Sequence, residues 1–263
     1  GEAIALGRVA LARFGVRASG HVAAIVVAAL RAWRAIRKLG RARLLALAKV
    51  RDERIDALMW IIDAMATPAF LAERTLSIQL NAIHTCLFAR HGFHPSTPRT
   101  LAQFGILMVV FGRPVEAAQI NDWALELAER EPESRPRVET AARLFVWPFS
   151  RPLANSLVGL DDLFERALAL GDRDTAGYVA GLGLRGMLEV GIPLRETSAQ
   201  AKRLYDGLIG WATREQRMLL GSTKLVAEAL AAGPGAPESE PDFAAVLASE
   251  PELGEVIHYG AAI

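Results

Sequence analysis

Hydrophobic residues recur along the chain at spacings of three and four, which is the period of an α-helix with one buried face. Glycine and proline interrupt this pattern at roughly even intervals. No run of β-branched residues alternates with polar ones, and the nearest candidate, Val26-Val27, continues into a helical period. The pattern predicts these helices: Glu2–Phe14, His21–Leu39, Asp52–Ala66, Glu73–Arg90, Pro98–Phe111, Pro114–Arg130, Arg135–Trp147, Pro152–Leu170, Thr175–Val190, Leu194–Ala212 and Arg214–Ala232.

Three of the predicted helix starts carry a capping signal. Gly171 is followed at once by Asp172, so the chain turns and begins a new helix. Ser96-Thr97-Pro98 offers a hydroxyl cap with a proline in the first turn. Thr213 with Gln216 three residues later is a capping box.

The connections between the predicted helices are short, so neighbouring helices should pack antiparallel. From Pro98 onward the helices pair with a period of about 35 to 40 residues, which is typical of helix-pair repeats. One pair cannot bury its apolar face alone, so the pairs must stack. The sequence therefore predicts an all-α fold of stacked antiparallel helix pairs.

One repeat, Phe104–Ala117, resembles a tetratricopeptide (TPR) repeat. Gly105 stands where the first helix needs a small residue, and Gly112 stands at the turn, where glycine permits a positive φ. Met108 and Asn121 depart from the repeat, which has aromatic residues there. The resemblance implies a TPR-like α-solenoid.

Longer stretches resemble the helical region that follows the AAA-type ATPase domain in large bacterial signalling proteins. The stretches are residues 5–16, residues 91–96, and residues 151–153 leading to 171–172. Those proteins often carry a serine/threonine kinase domain and a sensor or histidine-kinase module. The resemblance implies a regulatory array inside a kinase-containing polypeptide. This chain has no kinase or nucleotide-binding motif, so no catalytic residue is carried over and we do not expect an enzyme.

We divide the chain into four parts. Residues 1–95 are interpreted as N-terminal helical hairpins and residues 96–232 as TPR-like helix-pair repeats. Residues 233–241, rich in proline, glycine and glutamate, are predicted to be a flexible loop, and residues 242–263 to begin a further helical repeat. Both ends fall inside helical patterns, so we expect a segment of a larger polypeptide.

The composition narrows the classes of protein. The 263 residues are 52% hydrophobic, which excludes wholesale disorder, and the formal net charge of +1 predicts no general attraction to nucleic acid or anionic membranes. A single cysteine, Cys86, excludes a disulfide framework. No apolar stretch approaches the ~18 residues that span a bilayer, and no signal peptide is evident. We expect a cytoplasmic protein without a transmembrane segment.

A basic run extends from Arg31 to Arg43 and contains no acidic residue. Together with Trp33 it could bind a membrane surface or nucleic acid. The simpler interpretation is a solvated helix face whose arginine stems cover apolar surface. We favour the solvated face. Among the functional interpretations of this basic run, the best is contact with an anionic partner domain. The candidate interaction residues are Arg31, Arg34, Arg37 and Lys38.

Large aromatic side chains mark the central part of the chain. They belong either to the core or to a ligand groove, and Trp147-Pro148-Phe149 at a helix end is the best candidate anchor, because aromatic residues concentrate interface energy. The candidate aromatic residues are Trp123, Phe145, Trp147 and Phe149.

Two further patterns suggest chemistry that we do not expect. The histidines His84, His91 and His94 cluster with Cys86, but residues two apart on a helix diverge by about 200°, so we predict no zinc site. The segment 181–186 matches G-x-G-x-x-G, but it follows a predicted helix instead of a strand. We interpret its glycines as a close-packing face and predict no cofactor.

Three acidic residues, Asp161, Asp162 and Glu165, lie together on one predicted helix. A catalytic pair of carboxylates would face each other across a cleft, so we interpret these as a solvated face. The sequence thus favours a non-catalytic protein-interaction and regulatory module, whose partner is a protein or peptide, including other domains of the same polypeptide. The alternatives are a stand-alone α-helical ligand-binding protein or enzyme, and a membrane or nucleic-acid binder through residues 31–43.

Overall fold

A computed structural model describes residues 2–208 and 210–232, and all regular structure within these residues is helical. The predicted all-α class is therefore confirmed. The α-helices are α1 (Glu2–Arg13), α2 (Val22–Leu45), α3 (Glu53–Ala72), α4 (Arg74–His91), α5 (Thr97–Val110), α6 (Pro114–Ala128), α7 (Arg135–Thr140), α8 (Leu153–Leu157), α9 (Leu160–Ala169), α10 (Arg173–Val190), α11 (Leu194–Leu208) and α12 (Arg214–Ala232). The predicted loop 233–241 and helix 242–263 lie outside the described residues.

The helix boundaries correct the sequence-based ranges of four helices in particular. The predicted helix Pro152–Leu170 is two helices, because Gly159 takes a positive φ of 72° between them. The predicted helix Arg135–Trp147 changes from α7 into a π-helical segment, Ala141–Val146, and then a 3₁₀ turn, Trp147–Phe149. α2 extends to Leu45 through a kink at Gly40, and α3 extends through Pro68.

Two of the three predicted caps are present. Asp172 accepts a hydrogen bond from the backbone N–H of Thr175, and Thr213 and Gln216 form the reciprocal bonds of a capping box. The predicted hydroxyl cap at Ser96 is wrong, since this side chain makes no capping bond. The Ser96 hydroxyl lies between two buried histidine rings instead.

The helices divide into two compact units, residues 2–175 and residues 176 onward. In the first unit α5 packs along α6, as short connections predict. The first four helices differ, since the main pairs are α2 with α4, α3 with α4 and α1 with α3. The connections 14–21 and 46–52 are long enough for the chain to skip its nearest neighbour. In the second unit α11 packs along α12.

Two hydrophobic clusters fill the first unit. The larger one joins buried residues of α2, α4, α5, α6 and α7, and it runs without interruption across the division that we placed at residue 95. The smaller one joins α1, α3 and α4 around Ile62, Leu76 and Leu80. Within the described part of the chain, no helix is both long and apolar enough to cross a membrane.

The helix pair α5–α6 packs as closely as its small residues predict. Gly105 faces Asn121 of α6 so tightly that an added Cβ would lie 3.0 Å from the Asn121 side-chain Cγ and 3.3 Å from the Ala117 carbonyl oxygen. Gly112 takes a φ of 72° at the turn. The roles predicted for Gly105 and Gly112 are thereby confirmed, whereas the stacking of all pairs as a solenoid stays a prediction.

Candidate interaction surface

Helix α2 presents one face to the core and the opposite face to solvent. The buried face consists of Ile25, Ala29, Ala32 and Ile36, at the three- and four-residue spacing that the pattern predicts. The residues on the opposite side are exposed along the whole helix. In its first half they are apolar and in its second half they are basic, so the exposed face has two chemically different parts.

Trp33 lies at the edge of this face and is held from three sides. Its indole N–H donates a 3.0 Å hydrogen bond to Oε2 of Glu116 on α6. The guanidinium carbons of Arg37 and Arg113 lie 4.9 and 4.6 Å from the centre of the ring. Arg113 also donates a 2.7 Å hydrogen bond to the other carboxylate oxygen of Glu116. The contact fixes the start of α6 against the middle of α2.

A second contact fixes the direction of α6 along α2. Arg41, just beyond the kink at Gly40, forms a bidentate pair with Glu126 at 3.1 and 2.6 Å. The two contacts follow in the same order along both helices, with Trp33 before Arg41 on α2 and Glu116 before Glu126 on α6. The two helices therefore run in the same direction. Since α6 begins at Pro114, the first three turns of α2 extend beyond its start.

Apolar side chains are exposed where α6 no longer covers α2. Val26 and Leu30 are each 42% exposed, although they stand about two turns and one turn before Trp33 on the same stripe. The turn between α5 and α6 exposes Val110 and Phe111, at 73% and 46%, together with Val115. Both groups flank the Trp33 contact with Arg113 and Glu116. Exposed apolar groups of this kind mark interaction sites on proteins.

The cations of α2 follow its exposed apolar residues along the helix. Arg31, Arg34 and Lys38 are exposed and form no ion pair within the described residues, whereas Arg37 lies over the Trp33 ring. We call this region the Trp33 surface. Its members are Val22, Val26, Val27, Leu30, Arg31, Trp33, Arg34, Arg37 and Lys38 of α2 and Val110, Phe111, Arg113 and Val115 of the α5–α6 turn.

The predicted aromatic candidates do not form one exposed group. Trp123, Phe145 and Trp147 are partly buried, and Phe149 is 62% exposed. Arg151 lies 4.4 Å from the centre of the Trp147 ring and donates two hydrogen bonds, 2.8 and 2.6 Å long, to the carboxylate of Asp122 on α6. Trp147 thus already packs against Arg151 of the same chain. Of the four predicted aromatic candidates, Phe149 is the one that is exposed.

The predicted histidine cluster is resolved into one buried pair and two separate residues. His84 and His94 lie with ring centres 5.9 Å apart, whereas His91 is exposed and Cys86 is half-buried on another side of α4. Burial raises the pKa of the Cys86 thiol, and the nearby charge of Arg31 opposes the shift. Among the described residues, no three His, Cys, Asp or Glu side chains are placed to hold a metal ion.

A chain of hydrogen bonds connects the two buried histidines. The backbone N–H of Ser96 donates to Nδ1 of His94 at 3.1 Å, so the proton of that neutral ring is on Nε2, 3.8 Å from Asp56. The Ser96 hydroxyl lies 2.6 Å from the same Nδ1 and 3.1 Å from Nε2 of His84, so it bridges the two rings. The hydroxyl of Thr100 lies 3.2 Å from Nδ1 of His84.

Both histidines are neutral in this arrangement. Burial, together with the proximity of His94, lowers the pKa of His84 to about 3, and burial also lowers the pKa of His94, although Asp56 opposes that shift. Sequence reasoning missed this network. The signal was the segment His94-Pro95-Ser96 after a helix that carries another histidine.

Asp56, His94 and Ser96 are the residue types of a serine-hydrolase triad, but here they are part of the internal hydrogen bonding of the fold. Ser96 is buried and its hydroxyl is shared with His84, so no substrate reaches its oxygen. The adjoining cleft, lined by residues such as Asn81, has room for about one water molecule. The hydrogen bonds of this network link α4 to the start of α5.

The other two predicted patterns also have structural roles. Gly181 lies inside α10, not at its start, and an added Cβ would meet the Leu219 side chain of α12 at 2.6 Å. The G-x-G-x-x-G match is therefore a close-packing face, as predicted. Asp161, Asp162 and Glu165 are exposed on α9, also as predicted. No family model matches this chain, and no curated protein or solved structure is significantly similar to it.

Proposed function

We propose that this chain is a non-catalytic protein-interaction module of TPR-like helix pairs, and that it binds a protein partner through the Trp33 surface. One observation carries the proposal. Val26, Leu30 and Phe111 expose apolar area on both sides of an ordered contact, and unpaired cations lie next to them. Burying such residues against a partner would stabilise a complex by about 25 cal/mol for each Å² removed from water.

The local structure favours binding without a large rearrangement. Trp33, Arg113 and Glu116 already hold α2 and the α5–α6 turn together, so the apolar side chains on either side are fixed relative to each other. A preorganised surface loses less conformational entropy when it binds. This is the property expected of a scaffold that recognises one segment of a partner.

The resemblance to helical regions of bacterial signalling proteins suggests where the partner comes from. In such a polypeptide, which we place in the cytoplasm, the partner would be another domain of the same chain. Binding at the Trp33 surface would then regulate that domain.

The test is a selection of binding peptides from a displayed random library, followed by affinity measurement with the wild-type chain and three variants. We expect Leu30→Glu and Phe111→Glu to weaken the selected peptides at least about tenfold, which corresponds to about 1.4 kcal/mol. Phe149→Glu is the matched control, because Phe149 is at least as exposed as Leu30 and Phe111 but belongs to the 3₁₀ turn Trp147–Phe149. Selected peptides that bind both Trp33-surface variants as tightly as wild type would refute the proposal.

A further inference from the structure

We infer that the partner segment is an amphipathic helix with one apolar half and one acidic half, which lies along α2; this inference rests on the function proposed above. It comes from the order of residues on the exposed face of the helix. Val22, Val26, Val27 and Leu30 occupy the first half of that face, and Arg31, Arg34, Arg37 and Lys38 occupy the second half. A partner that covers the whole face needs matching chemistry in the same order.

The charge of the second half is not balanced by the chain itself. Glu116 and Glu126 are occupied by Arg113 and Arg41. The remaining cations of α2 have no carboxylate within ion-pair distance in the part of the chain that the structure describes. Four positive charges therefore face solvent over about two turns, and an acidic segment would neutralise them.

The dimensions fit a single helix. From Val22 to Lys38 the exposed face is about 24 Å long, which is the length of a helix of about 16 residues. Phe111 and Val115 add exposed apolar area in the turn whose Arg113 contacts Trp33. A helix whose apolar residues recur at three and four positions can lay that face along such a surface.

A specific acidic helix explains this surface better than an anionic membrane does. The formal net charge of the chain is only +1, so a broad positive potential is lacking. Two carboxylates, Glu116 and Glu126, also lie among the cations, and a flat lipid surface would have to approach them. A helical partner can place its acidic groups over the unpaired cations alone.

The inference is tested with synthetic helical peptides of about 16 residues that have leucines on one face of the first half. One peptide carries glutamates in its second half, a second carries lysines there, and a third has alanines for the leucines. Binding of labelled peptides is measured by fluorescence anisotropy at low and high salt. We expect the Leu/Glu peptide to bind at least about tenfold more tightly than either of the others, with the advantage over the lysine peptide shrinking in high salt.

Charge reversal tests the site itself. The double variant Arg34→Glu with Lys38→Glu should prefer the lysine peptide, and Lys202→Glu, at another exposed lysine, should leave the preference unchanged. Equal binding of the glutamate and lysine peptides would overturn the inference. The proposed function would survive that result if Leu30→Glu abolishes both interactions, and it would fail if Leu30→Glu has no effect on either. Phosphatidylserine vesicles that bind more tightly than every peptide, and lose binding on charge reversal, would also overturn the inference.

Discussion

The contact between Gly105 and Asn121 gives a sharp test of how closely α5 and α6 pack. In the variant Gly105→Ala the new methyl group would overlap the Asn121 amide and lie 3.0 Å from its Cγ. Asn121 is fully buried and its amide is held by the carbonyl oxygens of Ala117 and Ala102. Overpacking of this kind destabilises by about 1–3 kcal/mol, whereas alanine gains about 0.5–1 kcal/mol over glycine inside a helix. We expect Gly105→Ala to lower the free energy of unfolding by about 1–2 kcal/mol.

The reason for this loss is tested by removing the side chain that causes it. Asn121→Ala by itself should destabilise by about 1 kcal/mol, because the amide donates to the carbonyl oxygens of Ala117 and Ala102, at 3.1 and 3.4 Å. In that background the new methyl group meets only the Ala117 carbonyl oxygen, at 3.3 Å, and the helix preference for alanine should offset this contact and make Gly105→Ala about neutral. The double-mutant cycle should therefore give an interaction energy of about 1–2 kcal/mol.

The assay is urea unfolding followed by circular dichroism for the wild type, both single variants and the double variant. Gly221→Ala is the control, since that glycine lies inside α12 and an added Cβ would meet only the Tyr205 ring, at an ordinary 3.5 Å. The control should gain about 0.5–1 kcal/mol. If Gly105→Ala is as harmless as the control, or if the two single effects simply add, the close packing argued for α5 and α6 is wrong.

Three further predictions concern polar side chains that form contacts within the first unit. Acidification from pH 7.5 to pH 5 should lower the free energy of unfolding by about 2 kcal/mol through His84, because unfolding raises the pKa of His84 from about 3 to 6.5. This contribution is complete above about pH 6.5 and declines below it. In the variant His84→Gln, the midpoints of urea unfolding should depend less on pH. Glu139→Gln should destabilise by about 1–3 kcal/mol in thermal unfolding, because the buried carboxylate accepts bonds of 2.9 and 2.8 Å from Arg143 and Arg166; an unchanged Tm would contradict this. Arg130→Ala should lower the free energy of unfolding in urea by about 1–2 kcal/mol, which is more than Arg130→Lys should lower it. The reason is that the guanidinium lies 3.8 Å from the centre of the Phe93 ring and donates to the carbonyl oxygen of Leu47 at 2.9 Å. Equal losses in both variants would exclude the stacking.

The candidate surface was only partly predictable. The basic run was visible because Arg31, Arg34, Arg37 and Lys38 stand close together in sequence. Its apolar half was not recognised, since Val26 and Leu30 fit a buried stripe equally well until the position of α6 is known. Likewise, Trp147 was a reasonable anchor from its position at a helix end. Arg151, only four residues further on, is held over the Trp147 ring by Asp122 of α6, and that pairing is not visible in the local sequence.

The sequence by itself determined the properties that depend on near neighbours. The helical period, the turns at Gly112 and Gly171, and the capping box at Thr213 follow from interactions within a few residues, so they were predictable from local patterns. The close packing of α5 on α6 could also be predicted from the local sequence. A glycine such as Gly105 weakens an exposed helix, so its presence indicates that another helix comes close.

Only the tertiary structure decided which helices pack together and which residues stay exposed. The pairing of α2 with α4 instead of α3 depends on the total apolar area that each arrangement buries, and no short window of sequence contains that sum. The hydrogen bonds that link His84, Ser96 and Thr100 arise for the same reason, since the α4–α5 connection must satisfy its polar groups once it is buried. Burial is a property of the whole chain, and it turns a local cap signal at Ser96 into part of a buried network.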